Sequence, residues 1–146
     1  MTMETFYLND VWCLYFHDPY DMNWEPNSYK FITTISSVND FIEIYMTFNE
    51  LLTKGMFFIM RDHIMPRWED ENNKNGGCFS FKINKNEVLD KLFEVTAQML
   101  GETLGKCDNI SLGAEHGPGA QRRALGVRAH RSQRWPHRGR GVCRDR

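Results

Sequence analysis

Three side chains stand out for the chemistry their types permit. Trp24 lies in the polar run Asp21-Met22-Asn23-Trp24-Glu25-Pro26, and Trp68 lies in Arg67-Trp68-Glu69-Asp70-Glu71, the most charged stretch of the first 112 residues. A large ring in a polar loop either folds over the rim of the core or stacks on a flat ligand. Two such rings, one followed at once by Glu69, favour the second use. An aromatic face stacks on a nucleobase with about 1–3 kcal/mol, and a cationic base adds a cation–π attraction of about 0.5–2 kcal/mol. A carboxylate accepting from the N1–H and N2–H2 groups of guanine adds charge-assisted hydrogen bonds of about 1.5–3 kcal/mol. A methylated, positively charged guanine meets all three demands. Two loop aromatics and an acid would also grip a sugar ring.

Other residue types form no comparable set. Cys13, Cys78, Cys107 and Cys143 contain no CxxC pair, so neither a zinc knuckle nor a dithiol redox site is indicated. His17 and His63 read as single, solvated loop histidines. No HExxH, GxSxG or phosphate-cradling glycine loop occurs, and nothing places a nucleophile or base beside Asp70 and Glu71. The expectation is a binding protein rather than an enzyme, with no catalytic residue, metal or cofactor.

The elements that must hold these loops are legible from periodicity. Val11 to Phe16 is strand-like, with Trp12, Leu14 and Phe16 on one face. A loop broken by Pro19 and Pro26 leads to a second strand, Tyr29 to Ile35. Ser36-Ser37 offers an N-cap with Asp40 as the capping acid. Val38, Phe41, Ile42, Tyr45, Phe48 and Leu52 then follow at helical spacing to about Thr53, and Lys54-Gly55 ends the helix. Met56 to Arg61 reads as a strand buried on both faces, and Cys78 to Ile83 as a fourth, alternating strand. Asn84 or Asn86 would cap a second helix, whose stripe runs from Val88 to Leu100. The order ββαββα predicts an α+β fold, a curved and mainly antiparallel sheet with helices on one face.

The last 34 residues are a different kind of sequence. Residues 1–112 hold nine basic and seventeen acidic side chains, whereas 113–146 hold nine Arg and two acids. All ten Phe, eleven Asn, eight Ile and seven Lys precede position 113. The remainder is rich in Arg, Gly, Ala and His, shows no strand or helix period, and reads as disordered. Its switch of composition matches a switch from A/T-rich to G/C-rich codons, as a reading-frame shift would produce. A genuine basic tail tracking phosphates is the other reading. The expected division is therefore a domain at 7–112 and a basic segment at 113–146. No secretory signal and no membrane-spanning run is visible, which points to a cytoplasmic setting.

Val11-Trp12-Cys13-Leu14-Tyr15-Phe16, Trp24, Val38-Asn39-Asp40-Phe41 and Ile64-Met65-Pro66-Arg67-Trp68-Glu69-Asp70-Glu71-Asn72-Asn73-Lys74-Asn75-Gly76-Gly77 together resemble the eukaryotic translation initiation factor 4E family of mRNA cap-binding proteins. The resemblance covers about Tyr7 to Ile110. It implies a cupped antiparallel sheet with helices on its convex face, incomplete here at the C-terminus. It implies that Trp24 and Trp68 sandwich the 7-methylguanine, that the Trp68 N–H meets the base O6, and that Glu69 bonds the base edge. The implied partners are capped mRNA and, on the dorsal helices, a scaffold initiation factor or regulator peptide. Val38, Phe93 and Glu94 match that dorsal pattern, and Gly101-Glu102 keeps the family's Gly-Glu. Three positions depart: Phe6-Tyr7 replaces a His-Pro pair, Ile42 replaces the usual dorsal Trp, and Cys78 replaces an Arg near the cap phosphates. Past Ile110 the family carries further strands and a third helix whose Arg and Lys grip the triphosphate. Val127-Arg128-Ala129 echoes that strand, and in so Arg-rich a segment reads as coincidence. The expectation is cap binding in translation initiation, at least tens of times weaker than in a complete member. The alternative is a truncated member that keeps its interaction helices and has lost the cap.

Overall fold

The structure, a computed structural model, describes residues 4–67, 69–72, 77–104, 109–115 and 122–130. In chain order the elements are β1 (Tyr7–His17), β2 (Lys30–Ser37), α1 (Val38–Lys54), β3 (Met56–Arg61), β4 (Gly77–Asn84), α2 (Val88–Leu100), β5 (Asn109–Glu115) and β6 (Arg122–His130). Single 3-10 turns sit at Pro26–Ser28 and Lys85–Glu87. The strands form one sheet in the order β2-β1-β3-β5-β6-β4, with every neighbouring pair antiparallel. This is the α+β, antiparallel architecture that the periodicity predicts.

Local chemistry explains the boundaries. Ser37 caps α1: its hydroxyl accepts from the Asp40 N–H while the Asp40 carboxylate accepts from the Ser37 N–H, a reciprocal capping box. The same carboxylate accepts from the Ser36 N–H, and that bond leads the causes that hold its pKa below the usual value. Gly55 ends α1 because the chain must pass close to two rings. A Cβ there would meet Phe16 at 2.7 Å and Phe57 at 2.8 Å. The second helix departs from expectation. Neither Asn84 nor Asn86 caps it. A 3-10 turn intervenes, and Glu87 is the N-cap without a side-chain capping bond.

The period of two divides the sheet into unlike faces. Trp12, Leu14, Ile35, Phe57 and Ile59 join Phe41, Ile44, Leu52, Leu92, Met99 and Leu100 of the helices in the main core. Met56, Phe58 and Met60 point the other way and form a smaller cluster with Ile64, against which Tyr15 and Tyr29 pack. Both helices therefore lie on one face of the sheet. All six residues of β3 are buried, as its apolar run Met56 to Met60 predicts; the sixth, Arg61, is a buried cation.

The expectation for the basic segment needs correction. Residues 113–115 complete β5, and Arg122–His130 form β6 rather than disordered chain. The two strands pair with each other, β5 also pairs with β3, and β6 pairs with β4 from Gly77↔Ala129 to Asn84↔Arg122. They stand between β3 and β4, so β4 joins the sheet through β6. The physical reason is that β propensity is weak and context-dependent, and ladder partners on both sides outweigh a poor composition. Val127-Arg128-Ala129 thus lies in a strand opposite Gly77 to Phe79. Residues 116–121 and 131–146 lie outside the described residues.

Candidate nucleic-acid interface

Trp24 sits between β1 and β2 on a loop held by its own polar side chains. The Asp21 carboxylate accepts from the Asn23 N–H at 2.9 Å, and the Asn23 side-chain oxygen accepts from the Glu25 N–H at 3.0 Å. The indole is 47% exposed. Its covered side lies flat on the imidazole of His17, with ring centroids 4.0 Å apart and planes within 3°. Tyr29 meets His17 edge-on at 5.1 Å and Phe58 edge-on at 5.7 Å. The rings of Trp24, His17, Tyr29 and Phe58 therefore run in sequence from the loop into the smaller cluster, on the sheet face away from the helices.

His17 departs from the expectation of a solvated loop residue. It is fully buried at the end of β1, not a solvated loop histidine. A signal was available, because Cys13, Tyr15 and His17 alternate onto one face. The strand expected from the sequence ends at Phe16, one residue before His17. His63 is exposed, as expected. Cys13 shares this face, and burial, with Asp62 accepting from its thiol, pushes its pKa up to about 11. That thiol stays protonated at neutral pH.

The second loop separates two neighbouring acids. Asp70 is used structurally: its carboxylate accepts from the Met65 N–H at 3.1 Å and from the Asn72 N–H at 2.9 Å. Glu69 is exposed and forms an ion pair with Arg67, Nε to Oε2 at 3.5 Å. Trp68 lies outside the described residues.

The dorsal candidates fall on the helices. Val38 and Ile42 are exposed one turn apart on α1, and Phe93 of α2 is 42% exposed while its ring packs on Phe41 and Tyr45 at 4.9 and 5.0 Å. Glu94 pairs with Lys91 at the surface. One further cluster had no sequence signal beyond the Gly101-Glu102 pair. Buried Arg61 donates from Nη1 and Nη2 to both carboxylate oxygens of Glu102, at 2.9 and 2.8 Å, and from Nη1 to Asp10 at 2.7 Å. Its guanidinium lies over Trp12, 4.3 Å from the ring centroid. Glu102 has φ 59°, a left-handed conformation that the forked bond holds in place.

Known proteins resemble both the sequence and the fold. The family model for eukaryotic initiation factor 4E matches residues 7–124, so the match runs past Ile110, where the sequence reading ends the resemblance. Eukaryotic translation initiation factor 4E of Candida albicans is 32% identical over 113 residues, covering 70% of this chain and 54% of that protein. A homolog from Acanthamoeba polyphaga mimivirus is 30% identical over 119 residues, covering 66% and 44%. The chain spans about half the length of these curated relatives. Among solved structures, Ascaris suum eIF4E-3 in complex with an m2,2,7G cap has a TM-score of 0.74 at 19% identity, covering 88% of this chain and 76% of that one. Caenorhabditis elegans eIF4E-3, in complex with the 4E-binding protein Mextli and a cap analog, has a TM-score of 0.72 at 18% identity, covering 87% and 75%. At these identities the structural likeness speaks for the fold.

Proposed function

The chain belongs to the eukaryotic initiation factor 4E family, and from that premise we propose that it binds the 7-methylguanosine cap of mRNA in translation initiation. The observation that carries the reading is Trp24, a half-exposed indole with one face backed by a buried ring. Trp24 and Trp68 stack on the two faces of the base, and Glu69 accepts from its edge. Stacking and charge-assisted bonding together supply several kcal/mol before the ordering cost of binding. The role is binding, not catalysis, and its setting is the cytoplasm. No helix among the described residues is long and apolar enough to cross a membrane.

The dorsal helices are the proposed seat for a scaffold factor or regulator peptide, over Val38, Ile42, Phe93 and Glu94. Ile42 gives that seat a smaller anchor than an indole, with no N–H to donate. Titration of tryptophan fluorescence tests the cap reading. 7-methyl-GTP is expected to quench emission more strongly and bind more tightly than GTP, and Trp68→Ala to abolish the effect. Equal affinity for the two nucleotides refutes the reading, because GTP lacks the positive charge. A chain that binds helical peptides but neither nucleotide is the interaction-only alternative.

A further inference from the structure

We propose that His17 is a positioning residue that holds Trp24 with one face covered and the other presented to the ligand. This rests on the reading of Trp24 as one wall of a base-binding slot. A tryptophan in an exposed loop ordinarily samples several rotamers, and fixing it on binding costs affinity. Here the fixing is done in advance, by two contacts from one ring. The imidazole lies parallel beneath the indole at 4.0 Å, close enough to exclude water from that face. Its Nε2 lies 2.8 Å from the carbonyl oxygen of Asn23, the residue before Trp24. A carbonyl only accepts, so Nε2 carries the hydrogen and the ring grips the loop backbone as well as the indole. The imidazole itself cannot rotate away. It is fully buried, Tyr29 abuts its edge, and Tyr29 is in turn seated on Phe58.

One observation argues that packing alone does not explain a histidine here. Its Nδ1 is buried with no hydrogen-bond partner among the described residues, a penalty that a phenylalanine would avoid. The compensating contacts are the stack on Trp24 and the bond to Asn23, and both act on the loop that carries the indole.

The two contacts separate by mutation in the full chain. His17→Gln keeps a donor for the Asn23 carbonyl and removes the stack, whereas His17→Phe keeps a flat ring and removes the donor. With Kd for 7-methyl-GTP taken from titrations normalised by binding stoichiometry, His17→Gln is expected to bind about fivefold more weakly, the scale of one side chain ordered on binding. His17→Phe is expected to stay within about twofold of the parent. Partial unfolding lowers stoichiometry and leaves the Kd of the folded fraction unchanged, so it does not imitate this pattern. The second readout needs no ligand. The indole Nε1–H resonance of Trp24, assigned by its loss in Trp24→Phe, is expected to shift in His17→Gln and to return toward the parent position in His17→Phe. A resonance unmoved in His17→Gln overturns the proposal, as does an unchanged Kd in a parent that binds the nucleotide. Should the parent not prefer 7-methyl-GTP over GTP, the cap reading fails, and the resonance alone decides whether His17 positions Trp24.

Discussion

Two buried polar side chains, Arg61 and His17, lie on opposite faces of the same sheet and are treated differently. Arg61 belongs to the helix-covered face, beside Trp12. It is surrounded by charge, with a bidentate bond to Glu102, a bond to Asp10 and an aromatic ring below. His17 belongs to the opposite face, with one bond and a stack on a half-exposed ring. Each side chain also keeps one buried nitrogen, Arg61 Nε and His17 Nδ1, with no hydrogen-bond partner among the described residues. A buried guanidinium needs fixed partners for its charge, and here they are two carboxylates that are themselves partly exposed. A side chain on the other face is buried only by the loop that folds over it. Its interactions therefore act on that loop, and through it on whatever the loop binds. On the proposed reading of Trp24, the contrast sets stability on one face against recognition on the other.

The sharpest way to break that contrast is to remove Arg61. Arg61→Ala strands two carboxylates and strips a cation from Trp12. Breaking a buried pair costs about 3–5 kcal/mol, and the lower end applies because Asp10 and Glu102 are partly exposed. Urea denaturation is expected to show a loss of about 3 kcal/mol, with Kd for 7-methyl-GTP unchanged in the folded fraction. A stability loss below about 1 kcal/mol would show that the network contributes little.

Trp24→Ala is the converse. It removes one stacking face, worth about 1–3 kcal/mol of binding, or roughly five- to more than a hundredfold in Kd. The urea midpoint is expected to fall by less than it does in Arg61→Ala, since about half of the indole is already exposed. A variant that loses its fold but keeps its ligand would reverse the assignment of the two faces.

The smallest effect concerns pH. Asp40 has a lowered pKa, chiefly from the Ser36 N–H and then from further bonds to Ser36 and Ser37 that outweigh burial. Asp10 is lowered too. Burial pushes it up, but the bonds from Arg61 and Val11 prevail. A carboxyl depressed in the folded state contributes stability above its unfolded pKa of about 4 and loses it as pH falls through the lowered folded value. Stability is therefore expected to decline below about pH 4. Asp40→Ala, at a cost of about 1 kcal/mol at neutral pH, should remove part of that decline. A denaturation series from pH 7 to pH 2 that runs parallel in the two proteins would count against the capping box.

Much of this molecule was legible from residues close together in the chain. Ser37, Val38 and Asp40 set the start of α1, and Gly55 its end, because a cap and its partner lie within one turn. The alternation in β1 put Trp12, Leu14 and Phe16 on one face, since a strand's two faces follow from a period of two, and the apolar run of β3 marked a strand buried on both faces. Trp24 was marked by a mismatch between its size and the polarity of its loop, and it stands exposed on that loop. Other features depend on contacts that no local pattern encodes. Arg61 meets Glu102 across 41 positions and Asp10 across 51. His17 read as a loop residue because the loop that buries it follows it in the chain. The segment from Arg122 to His130 offered no strand signal, and it is strand because β4 and β5 supply ladders on both sides of it. What the amino-acid order determined on its own was the set of elements up to Leu100 and the ring and acid types suited to a charged base. What the tertiary structure decided was which strands are neighbours, which face α1 and α2 cover, and which buried ring lies behind Trp24. Periodicity and capping are interactions of a few residues, whereas partner choice in a sheet is settled by the whole set of strands competing for the same backbone hydrogen bonds.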